Sequence, residues 1–377
     1  MKMKIPFHKP YITEEEISEV VDSLKSGWLT MGPKTIEFEN RFRDYIFGKD
    51  NGFAISFNSA TAALHIALKA IGLKEGDEVI LPTNTFIATA EVVTYFNAIP
   101  VLCDIEEDTH NIDVSKIEGL ITKRTKAIIP VHFGGQPCDM DEIMEIAKKY
   151  NLKVIEDAAH ALPAWYKGRK IGTIGDITCF SFYATKTLCT GEGGMATTKD
   201  ERYTRILKIN RLHGIDRDAW DRYTLKGSWY YEVVDNGYKY NTTDINAALG
   251  IAQLKKLKWM WQRREEIAKR YTEIFQDTKI IPPVVKPDRV TSWHLYVIKV
   301  NNRDELIEKL RDDGIGASVH FIPVHKHPYY REKYGYRDED FPVANKVFSM
   351  SLSLPIYPGL RNEEVDYIAE RVLRYAK

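Results

Sequence analysis

The chain has 377 residues, too many for one core, because single cores stop growing at roughly 250–300 residues. Its hydrophobic fraction of 44% and charged fraction of 28% are those of a globular protein and exclude a disordered, collagen-like or coiled-coil chain. The 53 Lys and Arg residues balance the 53 Asp and Glu residues, so no net field favours nucleic acid or an anionic membrane. No stretch approaches the roughly 18 apolar residues of a membrane span, and we expect a cytoplasmic protein.

A first helix is predicted to follow Thr13, because Thr13 and Glu16 have the spacing of a capping box. The apolar residues that follow recur with the period of one helix face: Ile17, Val20, Val21 and Leu24. The pattern predicts an amphipathic helix that ends at Gly27.

Beyond this helix, short apolar runs alternate with helical patterns. The runs occupy residues 53–57, 78–82, 99–105, 126–132, 153–159, 177–182 and 194–198. Because the hydrophobicity within each run is continuous and helices lie between the runs, a mostly parallel sheet covered on both faces is predicted. Residues 1–250 are therefore predicted to form a large α/β domain.

A second, smaller α/β domain is predicted for residues 251–377. A long helix capped by Thr242 or Thr243 leads into it. The buried stripe predicted for this helix consists of Ile245, Ala248, Leu249 and Ala252. A proline-rich segment at 280–290 then precedes a strand at 293–300, a helix around 306–310, a strand near 317–321 and a terminal helix from Asn362.

The cysteines do not indicate a disulfide framework or a metal site. They show no CxxC spacing, and three of the four lie in or beside apolar runs: Cys103, Cys138, Cys179 and Cys189. We interpret them as structural thiols.

Polar residues follow several predicted strands, where ligands bind in open parallel sheets. Small residues at 58–64 open a helix whose N-terminal N–H groups suit an anion, although an ordinary Ser or Thr cap has the same pattern. Asp157 and His160 lie at the end of the predicted strand at 153–159. Taken alone, they could be a helix cap and a histidine whose hydrogen bonds are made within the fold. Lys186 follows the predicted strand at 177–182 and precedes a glycine-rich turn. It is either a surface lysine or a desolvated amine, whose lowered pKa suits attack on a carbonyl.

In combination these features resemble fold-type I pyridoxal-phosphate (PLP) enzymes, and more narrowly the DegT/DnrJ/EryC1/StrS sugar aminotransferases. The resemblance extends from about residue 26 to residue 330. The motifs that carry it are EDAAHA at 156–161, SFYATK at 181–186, TGEGGM at 190–195 and GYKYNTTDINAALG at 237–250.

The resemblance implies a role for each site residue. Lys186 would hold PLP as a Schiff base and shuttle the proton, and Asp157 would keep the pyridine nitrogen protonated. Phe86 and His160 would lie on the two faces of the ring. The phosphate would be held by Ser59, Ala60, Thr61 and Ser181. Asn241 would reach the cofactor of a second subunit, which implies a homodimer with shared active sites.

The resemblance further implies that a nucleotide-linked 4-keto sugar, with UDP as the preferred nucleotide, receives an amino group from L-glutamate for polysaccharide synthesis. The candidate substrate residues are Trp28, Thr30, His213, Trp220, His320 and His325. Alternatives with the same fold are a 3-keto-sugar aminotransferase, a dehydratase, which would have histidine in place of Lys186, and a non-catalytic PLP-binding regulator. A sugar-nucleotide dehydrogenase is disfavoured because no G-x-G-x-x-G follows the first strand.

Overall fold

A computed structural model describes residues 3–216 and 230–377 of the chain. The helices are, in chain order, α1 (Glu14–Ser26), α2 (Pro33–Phe47), α3 (Ala60–Ala70), α4 (Ala88–Thr94), α5 (Val114–Leu120), α6 (Met140–Tyr150), α7 (Glu201–Asn210), α8 (Asp244–Phe275), α9 (Arg303–Asp312), α10 (Pro328–Tyr334), α11 (Pro342–Met350) and α12 (Asn362–Tyr375). The strands are β1 (Phe53–Phe57), β2 (Glu78–Pro82), β3 (Ile99–Cys103), β4 (Thr125–Ile128), β5 (Lys153–Asp157), β6 (Trp165–Tyr166), β7 (Arg169–Lys170), β8 (Ile177–Ser181), β9 (Gly194–Thr198), β10 (Arg289–Val290), β11 (Tyr296–Lys299) and β12 (Ser351–Leu354). Among the helices of the described residues, none is long and apolar enough to cross a membrane.

The large sheet has seven strands in the order β1-β9-β8-β5-β4-β2-β3. Strand β9 is antiparallel to both of its neighbours, and the other pairings are parallel. Separate hydrophobic clusters, one built around α3 and one around α2 and α6, contain residues from these strands. The predicted mostly parallel sheet is thus confirmed, although several strands are shorter than the apolar runs because the last residues of those runs belong to the loops that follow the strands.

Helix α1 begins as predicted, but its apolar stripe does not face the core of the chain. Thr13 and Glu16 form the predicted capping box, with Thr13 N donating to Glu16 Oε2 at 2.7 Å. Ile17 is 48% exposed and Leu24 is 52% exposed, whereas Glu16 and Ser23 are buried. The polar face is buried because it packs on α8, where Lys256 pairs with Glu16 at 2.6 Å. The apolar stripe therefore remains on the surface of the single chain.

The long helix α8 is capped by Thr243, one of the two predicted residues, whose hydroxyl accepts from Asn246 N at 3.2 Å. Of its predicted stripe, Ala248 and Ala252 are buried, while Ile245 and Leu249 are only half-buried. The helix contributes residues up to Met260 to a core of the large sheet and residues from Ile267 onward to a second core. The boundary expected near residue 250 stays a prediction.

The second core is built on the antiparallel pair β11 and β12, with α9 and α12 packed beside it. The strand predicted near 317–321 is wrong, because only Ser318 forms a bridge there, to Ser353. The backbone that follows leaves the sheet and enters the wall of a cavity, where Ser318, His320 and Phe321 are found.

Candidate active site

A cavity of about 560 Å³ lies outside the carboxyl ends of the parallel strands. Nine residues predicted from the sequence line it: Ser59, Ala60, Thr61, Phe86, Asp157, His160, Ser181, Lys186 and His320. Loops after β1, β2, β5 and β8 supply most of them, as expected for an open parallel sheet. The fold thus brings together residues that are distant in the sequence.

Lys186 lies in the turn that follows β8, where its backbone N–H donates to Tyr183 O at 2.9 Å. Burial lowers the pKa of its amine to about 8, although the negative charge of Asp157 opposes this shift. A lysine with this pKa has a sizeable neutral fraction near pH 7–8, so it can attack a carbonyl and accept a proton. The structure therefore favours the desolvated amine over a surface lysine.

Asp157 ends β5 and is buried beside the cavity. Thr89 donates its hydroxyl to Oδ2 at 2.7 Å, and Ala159 N donates to Oδ1 at 3.1 Å. Burial raises the pKa of this carboxyl group, against the two hydrogen bonds and the charge of Lys186. Its position is therefore fixed, and it can hold a proton on a basic nitrogen in the cavity.

His160 and Phe86 line the same cavity. Nδ1 of His160 accepts from Gly134 N at 3.3 Å, and burial holds the pKa of the imidazole well below 6.5. The ring is therefore neutral at pH 7, with its proton on Nε2. Phe86 is 58% exposed, and the Phe321 ring lies 5.8 Å from both the Phe86 and His160 rings. The cavity thus offers aromatic faces to a planar ligand.

The start of α3 forms an anion cradle. Ser59 accepts from Ala62 N through its side chain at 3.1 Å and from Ala63 N through its carbonyl at 3.2 Å. The N–H groups of Ala60 and Thr61 remain at the cavity wall, as the first N–H groups of a helix have no partner within it. Gly194 packs against this turn, where a β-carbon would overlap the Ser59 carbonyl and lie 2.6 Å from Ala60 N.

We expect Gly194→Ala to weaken phosphate binding by displacing the first turn of α3, with roughly a tenfold or greater loss if one charge-assisted hydrogen bond is lost. The measurement is the Kd of PLP for the apoenzyme. Gly119→Ala is the matched control, because a β-carbon at that helical position meets no atom within 4 Å. Equal affinities of the two variants would contradict this role of Gly194.

The residues present fit PLP on their own chemistry. An anion cradle, a desolvated lysine, a buried carboxylate and aromatic faces surround one cavity, and these match the phosphate, carbonyl, ring nitrogen and ring of the cofactor. When bound, PLP supplies an electron sink for a developing carbanion.

His325 does not line this cavity. Its side chain is buried, with Nδ1 2.7 Å from Thr83 Oγ1 and Nε2 3.0 Å from Asn345 Oδ1, and its ring stacks on Phe341. Because both nitrogens are engaged, His325 stabilises the packing of the 324–345 segment against the end of β2. The expected substrate contact is not seen in the single chain.

Four other candidates lie outside the cavity lining: Trp28, Thr30, His213 and Asn241. Thr30 O accepts from Asp244 N at 3.1 Å, and Asn241 Nδ2 donates to Thr242 O at 2.9 Å. Trp220 lies outside the described residues. The roles expected for these residues stay predictions.

The cavity also contains residues that the sequence did not indicate. These include Phe7, His8, Tyr183, Glu192, His294 and Phe321. His294 stands within an apolar run, where a lone imidazole is normally a core residue, and His8 lies in a segment without helix or strand periodicity. Local sequence therefore carried no signal for these two histidines, whereas Tyr183 and Glu192 lie within the motifs at 181–186 and 190–195.

Comparisons with known proteins identify relatives along nearly the whole chain. The model of the DegT/DnrJ/EryC1/StrS aminotransferase family matches residues 10–373. Spore coat polysaccharide biosynthesis protein SpsC of Bacillus subtilis strain 168 is 50% identical over 376 residues, which cover 98% of this chain and 96% of SpsC. MJ1066, an uncharacterized protein of Methanocaldococcus jannaschii, is 55% identical over 368 residues, 96% of this chain and 95% of MJ1066.

Solved structures of sugar aminotransferases are also similar to this chain. Spr1654 of Streptococcus pneumoniae, solved in PLP and PMP forms, has a TM-score of 0.91 at 37% identity and covers 99% of this chain and 98% of its own. PseC of Helicobacter pylori, an aminotransferase of pseudoaminic acid biosynthesis, has a TM-score of 0.92 at 30% identity and covers 99% of both chains. The expected fold type, cofactor and enzyme class are thus confirmed. The chain belongs to the DegT/DnrJ/EryC1/StrS aminotransferase family and is a PLP-dependent sugar aminotransferase.

Proposed function

We propose that this enzyme transfers the amino group of L-glutamate to C4 of a 4-keto-6-deoxy nucleotide sugar, with UDP as the nucleotide, for surface polysaccharide synthesis. The observation that carries the amino-transfer chemistry is the pairing of a desolvated Lys186 with a buried Asp157 across one cavity, whereas the choice of C4 and UDP rests on the resemblance of the segments at 237–250 and 318–325. The likeness to SpsC, a polysaccharide biosynthesis protein, supports the pathway class. The cytoplasmic location expected from the sequence stays a prediction.

The chain's own residues suit the proton transfers that amination requires. Lys186, with a pKa of about 8, can remove a proton from the donor carbon and return it to the cofactor carbon. Asp157 would keep the ring nitrogen of bound PLP protonated, and Thr89 holds the carboxylate in place. A dehydratase is disfavoured, because it would lack the lysine.

The test is a coupled assay with purified enzyme, PLP, L-glutamate and a set of keto sugars. The set contains UDP-linked 4-keto-6-deoxy, dTDP-linked 4-keto-6-deoxy and 3-keto sugars, and products are identified by mass and NMR. We expect the UDP 4-keto sugar to have the highest kcat/KM. Preferential amination at C3 would replace the 4-keto assignment. Absence of any amination would favour the alternative of a non-catalytic PLP-binding regulator.

We also propose a homodimer with shared active sites. Exposed apolar side chains are concentrated in α1, in the residues that flank it and at the start of α2: Ile12, Ile17, Val21, Leu24, Leu29 and Ile36. A concentration of large exposed apolar side chains is typical of a protein interface. Asn241 lies outside the cavity lining of its own chain, so a second subunit is needed if it binds cofactor phosphate.

We therefore expect inactive Lys186→Ala and inactive Asn241→Ala subunits to restore activity when they are mixed. A mixed dimer has one site with both wild-type residues and one site with neither. Because random exchange makes about half of the dimers mixed, up to about a quarter of all sites should be active, which restores up to about a quarter of the wild-type activity. The measurement is turnover after verified subunit exchange. Each variant mixed with itself is the control, and mixed dimers without activity would contradict shared sites.

A further inference from the structure

Arg264 on α8 carries a buried positive charge. Its side chain is fully buried, and Nη1 donates to the carbonyl oxygens of Ile356 at 2.7 Å and Trp293 at 3.2 Å. Nε and Nη2 have no hydrogen-bond partner, and no carboxylate forms an ion pair with Arg264 in residues 3–216 and 230–377. Burial lowers the pKa of the guanidinium only to about 10, so it stays protonated at neutral pH. An uncompensated buried cation favours an anion nearby.

The backbone that Arg264 contacts is part of the cavity wall. His294 and Ile356 line the cavity, and their carbonyl oxygens lie 3.4 and 2.7 Å from Arg264 Nη1. His294 is only 6% exposed, and its Nδ1 has no partner among the described residues. Nε2 of His8, on the same cavity, is also buried and without a partner there. Three groups with unsatisfied polar atoms thus lie together at one wall.

This wall is separate from the phosphate cradle. The cradle belongs to α3, whereas His8 comes from the N-terminal segment and His294 precedes β11. Burial lowers the pKa of both imidazoles, and the nearby charges of Arg264 and Lys186 lower it further. At neutral pH both rings are uncharged, and because the ring of His8 already forms a hydrogen bond with the Ala184 backbone, His294 is the ring that can donate an N–H to a ligand. The wall therefore suits a small anion attached close to the carbon that reacts near Lys186.

The two substrates differ in where their negative charges lie. In an amino-acid donor the α-carboxylate is bonded directly to the reacting carbon. In a nucleotide sugar the diphosphate is attached at C1, on the far side of the ring from a C4 ketone. We propose that His294 binds the α-carboxylate of the amino-acid donor, and that Arg264 is a positioning residue that places a fixed positive charge behind it. This inference rests on the proposed use of an amino-acid donor.

The test compares binding of 2-methyl-L-glutamate, which has no α-hydrogen to lose, with binding of its α-amide to the PLP-loaded enzyme. Calorimetry gives both Kd values. The wild type should prefer the carboxylate by about tenfold or more, as for one hydrogen bond to a charged group. His294→Phe and Arg264→Met should lose most of this preference, whereas Arg264→Lys, which keeps the charge, should retain it.

Melting temperature and PLP affinity report folding, and His294→Phe provides the result if Arg264→Met does not fold. The inference is overturned if the wild type binds acid and amide alike, or if His294→Phe keeps the full preference. Failure of the proposed function is distinct, because it appears as absent amino transfer from L-glutamate to the keto sugars by the wild type. A KM increase for L-glutamate without one for the sugar in His294→Phe would further support the subsite.

Discussion

Lys186→Ala is expected to fold normally and to lose turnover by at least on the order of 10²–10⁴, the usual contribution of general acid–base catalysis. The fold should survive because removal of the buried amine relieves its desolvation cost, and because Asp157 keeps its hydrogen bonds to Thr89 and Ala159. Loss of the amine also prevents the covalent attachment of PLP, which adds to the loss of rate. Steady-state turnover and circular dichroism together measure the two effects.

Borohydride reduction of the wild-type enzyme, followed by peptide mapping, tests the same assignment without an activity assay. The pyridoxyl label is expected on Lys186. Lys167→Ala is the matched control, because Lys167 forms an exposed ion pair with Asp141 and should be dispensable. A label on Lys167, Lys170 or any other lysine would show that the active site is assigned incorrectly.

Asp157→Asn is expected to retain the fold and PLP but to lose most turnover. The amide can replace the carboxylate sterically, because Thr89 can accept a hydrogen bond from it as well as donate one. It cannot hold the proton on the ring nitrogen as a carboxylate does, which weakens the electron sink. Loss of one hydrogen bond to a charged group corresponds to roughly a tenfold to hundredfold lower kcat.

The matched control for this change is Asp141→Asn, which removes an exposed carboxylate that pairs with Lys167 and Arg169. Cofactor occupancy should be determined in both variants from the visible absorption. If Asp157→Asn binds PLP and turns over at the wild-type rate, Asp157 does not hold the ring nitrogen.

Local sequence was sufficient for most of the large sheet. Most strands of this sheet are buried on both faces, so each appears as an uninterrupted apolar run, and the runs at 53–57, 78–82 and 194–198 match their strands residue for residue. The candidate catalytic residues could also be found at strand ends, because the carboxyl ends of parallel strands meet at one edge of the sheet. That is why Asp157, His160 and Lys186 could be selected before the fold was known.

Surface patterns were less informative where packing partners are distant. Helix α1 has an apolar stripe, but α8 packs on its other face, since Lys256 and Gln253 satisfy the buried Glu16. His325 lies in a motif that resembles a substrate segment, yet Thr83 and Asn345 engage both of its ring nitrogens. Neither arrangement can be read from periodicity, because the partners are far away in the chain.

The sequence by itself determined the fold class, the enzyme family and the residues that match PLP, because those signals lie in short segments with fixed local chemistry. Only the tertiary structure placed His8 and His294 beside Lys186, with Arg264 behind them. These residues come from the N-terminal segment, the approach to β11 and the middle of α8. Their proximity, and the unsatisfied polar atoms that result, depend on how these segments pack, because burial and electrostatic environment are properties of the assembled cavity.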